Sequence, residues 1–126
     1  MKFKIIPFPA VRVNSKRRFT PRAKEYHNKM NELRTLMEDE FTKEEMIIAL
    51  INYYILEFIL PIPKTSKKQK ELKQIDWPHR QSPDIDNLFK SFTDTLFYQD
   101  KYNDKEIYKI QATKYWGNEE INFYIT

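Results

Sequence analysis

Two aspartates two positions apart, followed by an asparagine and then a lysine, dominate the stretch Ser82-Pro83-Asp84-Ile85-Asp86-Asn87-Leu88-Phe89-Lys90. Carboxylates are hard oxygen donors. A small cluster of them suits Mg²⁺, or Mn²⁺, which bind through a few carboxylates, retained waters and substrate phosphates. A third acid, Asp104, follows in Tyr102-Asn103-Asp104-Lys105-Glu106-Ile107, where the returning chain could bring it back towards Asp84. Lys90 can stand beside a scissile phosphate and offset its developing charge. The chemistry these groups fit is metal-assisted phosphodiester hydrolysis, in which the ion activates water and stabilises the leaving oxygen.

A single aspartate at a helix start needs no function, because Asp is favoured at caps and in the first turn by the helix dipole. Asp86 and Lys90 also share a helix face at i,i+4, which by itself is a surface ion pair worth a few tenths of a kcal/mol. Asp84, Asp86, Asn87 and Lys90 together are harder to account for in that way. Another nuclease signature, Pro-Asp followed downstream by acid-x-lysine, is disfavoured: after Asp84 no acid has a lysine two positions on.

Charge alternates along the chain. Residues 1–34 carry a local +8 and residues 35–62 carry −5; residues 63–83 return to +4, and residues 84–126 carry −3. The first basic block includes Arg12, Lys16, Arg17 and Arg18, and the second Lys64, Lys67, Lys68 and Lys70. Any one of these lysines serves solubility equally well. Two clusters beside an acidic site favour phosphate contact, in which neutralised phosphates release counterions and make affinity salt-dependent.

The elements that must position these groups fit one domain over residues 1–126, with 40% hydrophobic and 32% charged residues. The lone glycine, Gly117, excludes P-loops and dinucleotide-binding turns, which need several. The absence of cysteine excludes disulfides, thiolate nucleophiles and cysteine zinc sites, and His27 and His79 lack metal-ligand spacing. Pro7 and Pro9 interrupt any signal-peptide core, and Asn52 and Glu57 interrupt the longest apolar-rich run, so a cytoplasmic protein without a membrane span is expected.

Lys2 to Ile6 reads as a strand ending at Pro7. Thr20-Pro21 starts a helix to about Met37, with Tyr26, Met30, Leu33 and Met37 as its core stripe. Thr42 and Glu45 form a candidate capping box, and Tyr53 to Leu60 reads as a central strand. Asp84 to about Phe97 is a second helix, with Ile85, Leu88, Phe89, Phe92 and Leu96 on one face. Ile107–Trp116 and Glu120–Ile125 alternate like strands joined by a turn at Gly117-Asn118. The expected fold is α+β, a single compact domain with a small mixed or antiparallel sheet against two main helices. Most of the aromatics belong to its core, Trp77 being the best candidate for exposure.

Pro83-Asp84-Ile85-Asp86-Asn87-Leu88 with Lys90, Asp94 and Leu96, then Asn103-Asp104-Lys105-Glu106-Ile107, resembles the signature of the RusA family of Holliday junction resolvases. Pro61-Ile62-Pro63-Lys64-Thr65-Ser66-Lys67-Lys68 is similar to that family's proline-then-Ser-Lys-Lys segment, and Pro7 to Arg18 to its proline- and arginine-rich opening. The resemblance implies a homodimeric, Mg²⁺-dependent endonuclease that nicks two strands symmetrically at a four-way DNA junction. Two-fold symmetry suits two equivalent strands. By motif position it implies Asp84, Asp86 and Asp104 as metal-binding catalytic carboxylates, Lys90 as a stabiliser of charge, and Lys67 and Lys68 in a segment that meets DNA. Asn103 stands where many relatives have a further Asp, and the second segment lacks their tryptophan, departures that bear on metal affinity and junction selectivity. A catalytically silent nucleic-acid-binding module and a general metal nuclease acting on branched or single-stranded DNA are the competing readings.

Overall fold

The computed structural model describes residues 1–11, 20–39, 42, 44–45, 48, 54–62, 77–97, 105 and 107–125. Their elements, in chain order, are β1 (Lys2–Phe3), α1 (Pro21–Glu38), β2 (Tyr54–Leu60), α2 (Ile85–Phe97), β3 (Ala112–Trp116) and β4 (Glu120–Ile125). Among the described residues, two long helices and a four-stranded mixed sheet give the α+β class expected from the sequence.

Each helix is where its apolar period requires it. The Thr20 hydroxyl accepts a hydrogen bond from the Ala23 N–H at 3.2 Å, and Pro21, which has no N–H to leave unpaired, opens the first turn. Along α1, Ala23, Tyr26, Met30, Leu33 and Met37 are buried. In α2, Leu88, Phe89, Phe92 and Leu96 are buried, while Ile85, at the first turn, is exposed. Between these helices, Glu45 donates its N–H to the Thr42 hydroxyl at 3.2 Å, one half of the expected capping box.

The sheet order is β1-β4-β2-β3. β2 lies between β4, which is antiparallel to it, and β3, which is parallel. Its alternation sends Tyr54, Leu56, Phe58 and Leu60 into the core and leaves Ile55 on the opposite, solvent-facing side. Phe3, Ile121 and Phe123 join the same buried face, where Phe92 of α2 stacks on Phe123 at 5.7 Å between ring centroids. This contact lays α2 across the sheet.

Two strand boundaries are shorter than periodicity alone suggests. β1 stops at Phe3, although burial continues to alternate through Ile5. The alternating stretch Ile107–Trp116 pairs with β2 only once the Gln111 carbonyl accepts from the Leu56 N–H at 3.0 Å, so Ile107–Ile110 lies outside the strand. The turn after Trp116 joins β3 and β4 as expected, yet these strands do not pair with each other. They flank β2, and the Gly117 N–H closes over its end by donating to the Leu60 carbonyl at 2.8 Å. A central apolar strand thereby has both edges hydrogen-bonded.

The outer edge of β3 is covered as well. Trp116 donates its N–H to the Trp77 carbonyl and His79 donates its N–H to the Lys114 carbonyl, each at 3.0 Å. This pairing protects an otherwise open sheet edge and carries the chain from β3 towards the start of α2. Among the described residues, no helix is long and apolar enough to cross a membrane.

Candidate active site

The start of α2 holds the carboxylates. The Asp84 carbonyl accepts the first helical hydrogen bond, from the Leu88 N–H at 3.1 Å, which makes Asp84 the cap residue. Asp86 follows in the first turn, and both side chains are exposed together with Asn87. The unpaired N–H groups and dipole of that helix end favour negative charge there, which offsets part of the repulsion between neighbouring carboxylates. The sequence requires this placement: the apolar face of α2 must lie on the sheet, so its opposite face and leading end emerge into solvent.

The loop leading into this cap is held by β3. Ala112, Lys114 and Trp116 point to one side of the strand, so Lys114 sits between two inward-facing neighbours and its ammonium reaches across to the loop. It donates to the Gln81 carbonyl at 2.7 Å and to the Pro83 carbonyl at 2.8 Å. Burial pushes the Lys114 ammonium below the usual lysine range, and the nearby Asp84 charge opposes that shift. The Ser82–Pro83 peptide bond is cis. Three residues before Ser82, His79 is only 5% exposed, its ring 4.0 Å from that of Trp116, and its Nδ1 accepts from the Gln81 N–H at 3.4 Å. One strand therefore pins both ends of the segment that delivers Asp84.

Lys90 is exposed one turn after Asp86. Its ammonium meets the Asp94 carboxylate at 3.1 Å, and the other Asp94 oxygen accepts from the Tyr26 hydroxyl of α1 at 2.9 Å. Burial raises the Tyr26 phenol, reinforced by the Asp94 charge and by this hydrogen bond, so it remains a donor at neutral pH. Tyr26 lies on the core stripe that periodicity identified, with its polar tip directed at Asp94.

The N-terminal segment is fastened to the same helix end. Ala10 donates its N–H to the Asn87 carbonyl at 3.0 Å, and the buried Ser91 hydroxyl donates to the Phe8 carbonyl at 2.6 Å. Ala10 stands two positions before Arg12 in sequence. A cleft beside it, between this segment and α1, is lined by Phe8, Pro9, Val11, Arg22, Glu25, Tyr26 and Lys29, with Lys29 paired to Glu25 at 3.3 Å.

Of the residues singled out by sequence, Asp84, Asp86 and Lys90 therefore share one exposed helix end. Asp104, Arg12, Lys16, Arg17, Arg18, Lys64, Lys67, Lys68 and Lys70 lie outside the described residues. Among the described residues no group of three or more His, Cys, Asp or Glu side chains gathers as a metal cage. The donor chemistry nevertheless suits a hard divalent cation: two exposed, oxygen-only carboxylates at a helix start, with room for waters and phosphate oxygens. Trp77 is 45% exposed, as expected, whereas Trp116 is buried and Tyr115 half-buried.

Sequence reasoning missed Lys114 and gave Asp94 no role. A charged residue on the inward side of an alternating strand, between Ala112 and Trp116, was the available signal for Lys114. For Asp94 it was the i,i+4 spacing from Lys90.

The sequence model described as endodeoxyribonuclease RusA matches residues 6–126, nearly the whole chain. Comparisons with curated proteins and with solved structures returned no match.

Proposed function

Because the chain belongs to the RusA family of endodeoxyribonucleases, we propose that it resolves four-way DNA junctions by Mg²⁺-dependent, paired and symmetric phosphodiester hydrolysis. The observation that carries this reading is the exposure of Asp84 and Asp86 at the start of α2, with Lys90 on the next turn of the same helix. Asp84 and Asp86, with Asp104, are the residues that would hold Mg²⁺, or Mn²⁺ in its place. When bound, the ion supplies Lewis-acid stabilisation of phosphate charge and activation of water.

The chain's own groups do the rest. The Lys90 ammonium stands ready to offset charge that grows on the phosphate as the bond breaks. Asp94 limits where that ammonium can swing, and Tyr26 fixes Asp94. Arg12, Lys16, Arg17, Arg18, Lys64, Lys67, Lys68 and Lys70 neutralise backbone phosphates, so binding weakens steeply with salt. A junction offers two equivalent strands, and a homodimer presents two equivalent sites to them.

A synthetic four-way junction, incubated with and without Mg²⁺ and compared between wild type and Asp86→Asn, tests the proposal. Symmetric paired nicks that require Mg²⁺ and disappear in the variant are expected. Tight junction binding with no cleavage under any divalent metal would instead identify a silent binding module. Equal cleavage of junction, flap and single-stranded substrates at fixed salt would identify a general nuclease.

A further inference from the structure

We infer that Lys114 is a positioning residue for the site, holding the Gln81–Pro83 backbone so that Asp84 is presented in one orientation. The inference rests on the nuclease reading of Asp84 and Asp86. Three observations carry it. The Lys114 ammonium donates to two carbonyls of the same short segment, Gln81 at 2.7 Å and Pro83 at 2.8 Å, and the second belongs to the residue just before Asp84. Its own backbone is fixed on both sides: β3 pairs with β2, where Lys114 stands beside Phe58, and the Lys114 carbonyl accepts from the His79 N–H at 3.0 Å. The side chain is also half-buried and set between Ala112 and Trp116 on the sheet's inward side, so its ammonium is directed to the loop and not along the strand.

Two carbonyls converging on one ammonium form a clamp that neither a neutral side chain nor an exposed lysine reproduces. A loop that enters a helix through its cap residue has several ways to aim that residue's side chain; fixing the carbonyl immediately before it removes most of them. The role assigned to Lys114 involves no contact with substrate or with the reacting phosphate. It acts through the backbone, and its cation lies close enough to Asp84 for the two charges to attract. The role differs from that of Lys90, which lies on the exposed helix face and is paired with Asp94.

The test uses the full chain with Lys114→Met, which keeps the length and loses the donors, Lys114→Arg, which keeps a cation and donors, and Asp86→Asn as reference. Three quantities are read: junction binding without divalent metal, single-turnover cleavage with saturating Mg²⁺, and hydrogen exchange without metal or DNA at the Gln81 and Leu88 amides, which donate to His79 Nδ1 and to the Asp84 carbonyl on either side of the clamp. For Lys114→Met the expected result is junction affinity within about twofold of wild type, cleavage slowed at least about tenfold, and faster exchange at both amides. Lys114→Arg should recover most of both losses.

Wild-type exchange and wild-type cleavage in Lys114→Met would overturn the inference. So would a cleavage loss that merely follows a fallen melting temperature and that Lys114→Arg does not relieve. Should Lys114→Met fail to fold, Lys114→Arg decides through the same amides: unaltered protection with tenfold slower cleavage rejects the clamp. Failure of the nuclease reading looks different. The wild type would then cleave under no divalent metal, or Asp86→Asn would cleave as wild type does, while the exchange arm still reports whether Lys114 holds the loop.

Discussion

The two ends of α2 are built on opposite terms. From Leu88 to Phe97, Lys90 and Asp94 apart, the helix is a beam in the core: Leu88 and Phe92 are wholly buried, and even Ser91, Thr93 and Thr95 are shielded, each hydroxyl donating to a backbone carbonyl. At the leading end Asp84, Asp86 and Asn87 are all exposed, and two like charges lie two residues apart. Neither arrangement would serve in the other's place. Buried carboxylates without partners would cost far more than the helix gains from packing, and exposed phenylalanines would leave the sheet uncovered. The contrast shows how a small domain places charge accurately: the anchored half sets the axis, and the exposed half projects from it.

Substitutions at the two ends should therefore give opposite signatures, and the largest effect belongs to the beam. Phe92→Ala removes a ring that is 0% exposed and stacked on Phe123, which should lower stability by about 3–5 kcal/mol. Thermal unfolding and cleavage would be lost together. Phe92→Ala melting within a few degrees of wild type would show that α2 is not held in this way.

At the other end Asp86→Asn should slow cleavage by roughly 10²–10³-fold, a size typical of losing one group that stabilises transition-state charge. Stability should move by no more than about 1 kcal/mol, the range of a single charge at a helix N-terminus. Junction binding should hold or improve, since a negative charge near phosphate is removed. A melting temperature that drops as far as in Phe92→Ala would erase the distinction between the two ends.

Much of this division is legible in the amino-acid order. The α1 and α2 stripes, the Thr20-Pro21 start, the central strand at Tyr54–Leu60 and the exposure of Trp77 all follow from local period and capping chemistry, which act over a few residues. The exposed carboxylates are legible too, because Asp84 and Asp86 fall off the apolar face that Leu88, Phe89 and Phe92 define. What depends on distant partners is not. The separation of β3 and β4 by β2 is a pairing decision among strands, and alternation cannot say which neighbour each strand takes. Lys114 reads as one lysine in a strand because its partners are backbone carbonyls 31 and 33 residues away, and carbonyls have no residue type to announce them. His79 is similar: in a basic loop it suggests a surface group, yet the ring of Trp116 covers it.

Asp94 tests whether the beam also steadies the exposed end. Asp94→Asn keeps shape and an acceptor for Tyr26 but removes the charge that meets Lys90 at 3.1 Å. A half-exposed ion pair is worth at most about 1 kcal/mol to the fold, so thermal stability should barely change. Cleavage should fall by roughly tenfold if the position of the Lys90 ammonium matters to the developing charge. Unchanged cleavage would reduce the pair to a surface contact.

The smallest effect, and the one that joins the two ends, belongs to Tyr26. Its ring is core, in edge contact with Phe8 at 5.9 Å between centroids, and its hydroxyl serves Asp94. Tyr26→Phe keeps the first and deletes the second, for an expected stability loss of about 1 kcal/mol and only a few-fold slower cleavage. The pH dependence gives the sign independently. Burial and Asp94 raise the phenol above its ordinary value of 10.0, so the folded state resists its ionisation while the unfolded chain does not. That contribution to stability is complete below pH 10 and is lost as pH rises beyond it. Tyr54, pushed up to about 12 chiefly by burial, responds in the same direction. Stability of the wild type should thus fall between pH 10 and 12, and Tyr26→Phe should flatten part of that fall while the part due to Tyr54 remains. An identical alkaline profile in Tyr26→Phe would mean that the hydroxyl is not held against Asp94 in solution. In that event the Lys90–Asp94 pair would be unsupported by α1, and the exposed end of α2 would rest on the clamp at Gln81–Pro83 and the segment at Ala10 alone.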